Sequence, residues 1–232
     1  MSWCCDLPEL GVQVRRPQAL RAWLAAYAAA TATTTSYSQI LDSATPGEAD
    51  KPSRVTADAY RALLQRIRVL DPLEAWLPAF NPLKRLAAGP KHHLVDPALA
   101  ASLLNATVDS LLRADGPLES RRQDLLLGGL FESLATLTVR VLSQPARARV
   151  FHLRTHKGEH EIDLIVERRD HSVMAIEVKL SSAVGPRDTK HLNWLEQQLG
   201  DRLVDKMLIN TGPYALRLRD GTAVVPLGLL GP

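Results

Sequence analysis

The 232-residue chain is 46% hydrophobic and 23% charged, enough apolar material for a sizeable core, and this composition excludes global disorder. Charge is spread evenly, with 12 basic and 11 acidic residues in 1–115 and 16 and 14 in 116–232, so neither half is a polycationic arm and composition alone names no nucleic-acid partner. Cys4 and Cys5 are the only cysteines, which excludes a disulfide scaffold or a cysteine zinc site. A cytoplasmic protein without membrane association is expected: no run approaches about 18 uninterrupted apolar residues, and the start lacks a basic-then-apolar leader.

Leu20, Trp23, Leu24, Tyr27 and Ala28 follow Pro17 at helical spacing and predict a helix that ends in the Thr31–Thr35 cluster. A shorter helix is expected over 36–44 and a third over 56–68, where Tyr60, Leu63, Leu64 and Ile67 share a face. Two short extended pieces follow, 69–76 and 92–95, separated by proline-rich and basic turns. Three helices and a small hairpin is the order of a winged helix, in which Lys84, Arg85 and Lys91 would form a phosphate-contacting wing. A helix from Asp96-Pro97 carries Leu99, Leu103 and Leu104. The turn residues Ala114-Asp115-Gly116-Pro117 then mark a boundary between a helical region, 1–115, and a second domain, 116–232.

The second domain reads as a long helix over 121–142, strands at 148–154, 160–167 and 173–180, a helix at 187–199, and strands near 204–210 and 223–229. That order implies an α/β (α+β) fold with helices around a mixed sheet. In HEIDLIVE (160–167) and VMAIEVKL (173–180), apolar residues alternate with Glu161, Asp163 and Glu167, and with Glu177 and Lys179. The loop 168–172 is short enough for a hairpin, and the compact register pairs Glu167 with Val173. Extended along both strands, it sets Asp163 opposite Glu177 and Glu161 opposite Lys179. Two opposed carboxylates at roughly 5 Å are destabilising unless a divalent cation such as Mg²⁺ sits between them. Lys179 would then lie beside the metal, where an ammonium can orient water or offset charge on a phosphate. The strand 173–180 is too apolar for a sheet edge, so its Glu and Lys should be partly enclosed. Gln197 and Lys190 are further candidates for phosphate contact. Trp23, Trp76 and Trp194 read as core residues, and His152, His156 and His160 fall on strand and turn rather than on one helix face.

Asp163, the hairpin and Glu177-Val178-Lys179, preceded by Gly128-Gly129-Leu130-Phe131-Glu132 on a helix, resemble the PD-(D/E)XK nuclease superfamily. The resemblance implies an αβββαβ core, metal ligands at Asp163 and Glu177, a catalytic lysine at Lys179, and an assisting acid at Glu132. A second resemblance spans nearly the whole chain. DLPELGVQVRRP, TPGEADKPS, LDPLEAWLPAFNPLKRLAAGPKHHLVDPALAASLL, GGLFESL and EIDLIVE with IEVKLSS are similar to the C-terminal region of bacterial AAA-type ATPases known as domain of unknown function 4143. It implies a winged-helix-like segment joined to a nuclease-like fold, with an ATPase part preceding them. No GxxxxGK[ST] occurs in this sequence. No ATP binding is therefore expected, and the chain reads as a detached C-terminal portion of such an ATPase. The expected activity is Mg²⁺-dependent cleavage of a DNA phosphodiester; the alternatives are a non-catalytic DNA- or partner-binding regulatory module and a truncated remnant without independent activity, and the expected partners are DNA and a separately encoded ATPase subunit.

Overall fold

The computed structural model describes residues 17–44, 52–77, 86–87, 89–112 and 117–231, without the side chains of 117–123. Cys4, Cys5, Lys84, Arg85, the boundary at 114–116 and most of the TPGEADKPS loop lie outside the described residues.

The N-terminal helices are α1 (Pro17–Ala29), α2 (Tyr37–Ala44) and α3 (Arg54–Arg66). The expected apolar stripe of α1 is buried through Leu20, Trp23, Tyr27 and Ala28. Ser53 caps α3 by accepting the Thr56 N–H at 3.2 Å. Two short helices follow, α4 (Pro97–Leu103) and α5 (Val108–Leu112), and Asp96 caps α4 on the Ala98 N–H at 2.7 Å. The 69–76 and 91–95 segments meet in two antiparallel bridges, Leu70 with Leu94 and Leu73 with Lys91. These helices and bridges enclose one core around Trp23, Tyr27, Leu64, Leu70 and Leu94.

The long helix α6 (Pro117–Ser143) leads into a six-stranded mixed sheet of β1 (Arg149–Arg154), β2 (Glu161–Glu167), β3 (Val173–Val178), β4 (Leu203–Asn210), β5 (Leu216–Arg217) and β6 (Ala223–Pro226), with α7 (Lys190–Leu199) before β4. The order across the sheet is β1-β2-β3-β4-β6-β5. The first three strands are antiparallel, β3, β4 and β6 run parallel, and β5 closes antiparallel on β6. β3 is thus a central strand, which explains its apolar composition.

Both faces of the sheet are covered. Ile162, Ile165, Val173 and Ala175 pack against Leu192, Leu195 and Leu199 of α7, whereas Leu164, Ile176 and Ile209 pack against Ala135 and Val139 of α6. Ile162 and Ile165 are three residues apart yet share a face, because the β1–β2 register slips between Phe151–Ile165 and Leu153–Ile162. The outer edge of β1 is covered by the N-terminal half. The Trp76 N–H donates to the His152 carbonyl at 2.7 Å and the His152 N–H to the Glu74 carbonyl at 3.0 Å. From this strap Leu73 enters the core on the α6 side and Trp76 the core on the α7 side.

Residues 124–143 of α6 are long and apolar enough on average to cross a membrane, although Asp124, Glu132 and Arg140 interrupt the apolar run. In this fold that helix packs along the sheet. Its polar positions are engaged, Arg140 pairing with Asp71 and donating to the Pro72 carbonyl at 2.8 Å.

Candidate functional site

Four carboxylates and one ammonium meet where α6, β2 and the end of β3 approach the 89–95 segment. Lys91 Nζ lies 2.8 Å from Glu132 Oε1, 2.8 Å from Asp163 Oδ1 and 3.2 Å from Glu161 Oε1, and the residue is 1% exposed. Neighbouring groups fix the segment in place. His92 Nε2 is 2.6 Å from the Thr35 carbonyl, and His93 Nδ1 is 3.2 Å from Ser133 Oγ, next to Glu132 on α6.

Asp163 occupies a fork in the sheet. The β2–β3 register begins as the sequence implies, Glu167 with Val173 through Leu164 with Ile176, and the ladder ends there. β3 then continues with β4 alone, and the Val178 N–H, left without a partner on β2, donates to Asp163 Oδ2 at 2.9 Å. One carboxylate thus joins a backbone donor on one side to an ammonium on the other.

Charge balance governs the cluster. Burial opposes the Lys91 charge, but Asp163, Glu132 and Glu161 outweigh it and hold its pKa well above the lysine range. Burial, with Asp163 adding to it, pushes Glu132 up to about 8 despite the Lys91 contact. Burial and then Asp163 push Glu177 up to about 9, and its Oε2 is buried with no hydrogen-bond partner. Four acids exceed one ammonium, so the surplus is relieved by protons held on Glu132 and Glu177 at neutral pH. The buried imidazoles nearby are held neutral: burial and then Lys91 lower His152 to about 4 and keep His93 well below the usual histidine range.

Of the residues expected in the site, Glu132, Asp163 and Glu177 come together, and the Lys179 ammonium stands at their margin, within the field of Glu177 and Asp163 but paired elsewhere. Its Nζ pairs with Asp188 Oδ1 at 2.9 Å and its side chain is 49% exposed, while its N–H continues the pairing with β4 by donating to the Ile209 carbonyl at 2.8 Å. Glu161 reaches Lys91 and Arg154 rather than Lys179. Lys91, expected on a solvent-facing wing, is instead the buried centre of the cluster. Gln197 and Lys190 are exposed on α7. Oxygen donors suit Mg²⁺, but this arrangement does not fit the ion. The ammonium stands between Glu132 and Asp163 and so already engages one of the two expected ligands, and among the described residues no three His, Cys, Asp or Glu side chains are set to bind a metal.

Residues 127–230 match a family model described as Domain of unknown function (DUF4143), and residues 5–110 match another, Domain of unknown function (DUF8612). No curated protein matches the chain. A solved structure, the refined half-complex from a tetradecameric assembly of Thermococcus gammatolerans McrB AAA+ hexamers with bound McrC, contains a chain 10% identical to this one. The TM-score is 0.32, over 90% of this chain and 70% of that one. The two family models divide the chain so that Lys91 lies in one matched stretch and its three carboxylate partners in the other.

Proposed function

We propose that this chain is a non-catalytic, nuclease-like module of an AAA-type ATPase system, one that serves a separately encoded ATPase subunit by binding it or DNA rather than by cutting DNA. The observation that carries the reading is Lys91, whose Nζ fills the centre of the carboxylate constellation at 2.8, 2.8 and 3.2 Å from Glu132, Asp163 and Glu161. The ATPase context is supported by the match to DUF4143 over 127–230 and by the sequence resemblance to ATPase C-terminal regions. The nuclease-like core is supported by the order α6-β1-β2-β3-α7-β4, and the winged-helix-like region by three helices followed by two antiparallel bridges.

The purified chain, incubated with supercoiled and linear DNA and Mg²⁺ or Mn²⁺, should leave both substrates intact. Metal-dependent cleavage that disappears in Asp163→Ala and Lys179→Ala would overturn the proposal. It would favour the second reading, a Mg²⁺-dependent DNA endonuclease using Asp163 and Glu177. The feature that favours that reading is the buried Oε2 of Glu177, which has no hydrogen-bond partner and which a cation would satisfy. It requires Lys91 to withdraw from the cluster. Co-purification with an AAA-type ATPase encoded in the same genome would test the partner directly.

A further inference from the structure

Outside the carboxylate cluster, two imidazoles face each other on the surface of the sheet domain. His160 immediately precedes β2 and His191 lies in the first turn of α7; their Nδ1 atoms are 3.2 Å apart. Both rings are half-buried and held in place. Trp194, one turn beyond His191 on the same helix face, stacks on the His160 ring at 3.9 Å and 6°, while His191 meets that ring edge-on at 88°.

We propose that His160 and His191 form a two-imidazole site for a borderline transition-metal dication, with Zn²⁺ as its probe. Zinc binds histidine nitrogen at about 2.0–2.1 Å with tetrahedral angles, which places two ligand nitrogens about 3.3 Å apart. The observed separation matches that edge, and rotation of the rings would turn both lone pairs towards one ion. Without metal, the contact is an N–H···N hydrogen bond that holds one proton between two acceptors. On metal entry that proton passes, through solvent, to Nε2 of the same ring, so both rings stay neutral and both Nδ1 atoms donate lone pairs. Burial and then the neighbouring Lys190 and His160 lower the His191 pKa, which keeps the ring in the neutral form that ligates. Water completes the coordination, since only two protein ligands converge. Soft-to-borderline imidazole donors also separate this site from the all-oxygen carboxylate cluster, where a hard cation would be preferred.

Calorimetric titration of the metal-free full chain with Zn²⁺ should give one site per chain, with affinity unchanged by millimolar Mg²⁺. His191→Ala and His160→Ala should each weaken binding at least about tenfold. His156→Ala, on the exposed turn, should leave it unchanged. Circular dichroism of the two ligand variants separates loss of the site from loss of the fold. The proposal fails if Zn²⁺ binding survives in folded His191→Ala, or if Mg²⁺ displaces the zinc, which would place it among the carboxylates.

Discussion

Lys91 is the residue on which the two halves of the chain depend. A buried ammonium with three carboxylate neighbours is worth little relative to a well-packed apolar alternative, but removing it alone strands the carboxylates. Lys91→Met should therefore cost about 3–5 kcal/mol of stability, measured by urea unfolding. The loss should be smaller when Asp163→Asn is already present, and the double-mutant cycle should return a coupling of about 0.5–3 kcal/mol. Nothing local in GPKHH marks this lysine as buried; a Gly-Pro turn and two histidines read as a solvent-facing loop. The signal available in the sequence was on the other side: Glu161, Asp163 and Glu177 need more positive charge than Lys179 alone can bring. His92 and His93 likewise look polar and are buried at 1% and 2% exposure, each finding its acceptor or donor on an element remote in sequence.

At the scale of elements, α6 is where sequence and structure agree in kind and differ in consequence. Its helical identity is legible, yet its 27 residues serve two cores, with Leu130 packed in the N-terminal cluster and Ala135 and Val139 against the sheet. Gly129 lets the helix approach the end of α1: a Cβ there would sit 3.0 Å from the Thr31 carbonyl oxygen, whereas one at Gly128 meets open space. Gly129→Val should destabilise the fold by about 1–3 kcal/mol. Gly128→Ala should be neutral or stabilise it by up to about 1 kcal/mol through helix propensity. Thermal melts should show a lowered midpoint for Gly129→Val and an unchanged or raised one for Gly128→Ala. The β2–β3 hairpin was readable because its pairing is local and fixed by a short loop. Its failure beyond Leu164–Ile176 was not, because the slip in β2 depends on β1, and the departure of β3 depends on β4, which lies about 30 residues downstream in the chain. Lys179 is therefore turned to Asp188 at the margin of the acids.

At the scale of the molecule, the titrating groups set an unusual pH profile. Glu132 and Glu177 have raised pKa values in the fold, so the stability they contribute is full below the ordinary glutamate range and is lost as pH rises through about 8 and 9. His152 has a lowered pKa, so its contribution is present above the ordinary histidine value near 6.5 and is lost as pH falls through about 4. His92 and His93 shift in the same direction through burial. Stability should therefore peak near neutrality or slightly below and decline towards pH 9, a decline that Glu177→Gln should reduce. Chemical denaturation at a series of pH values would reveal this profile, and a flat response between pH 7 and 9 would count against the charge balance described for the cluster.

The three tryptophans with described positions divide the molecule optically. Trp23 is sealed in the N-terminal core, Trp76 is carried across by the strap into the α7-side core, and both are 1% exposed, whereas Trp194 lies against an imidazole at the surface. Emission from the first two should report, separately, the melting of each core. Emission from the third should respond to metal binding at His160, on which it stacks. Variants retaining only one of these three indoles would turn the chain into its own set of local fluorescence sensors, without an added label.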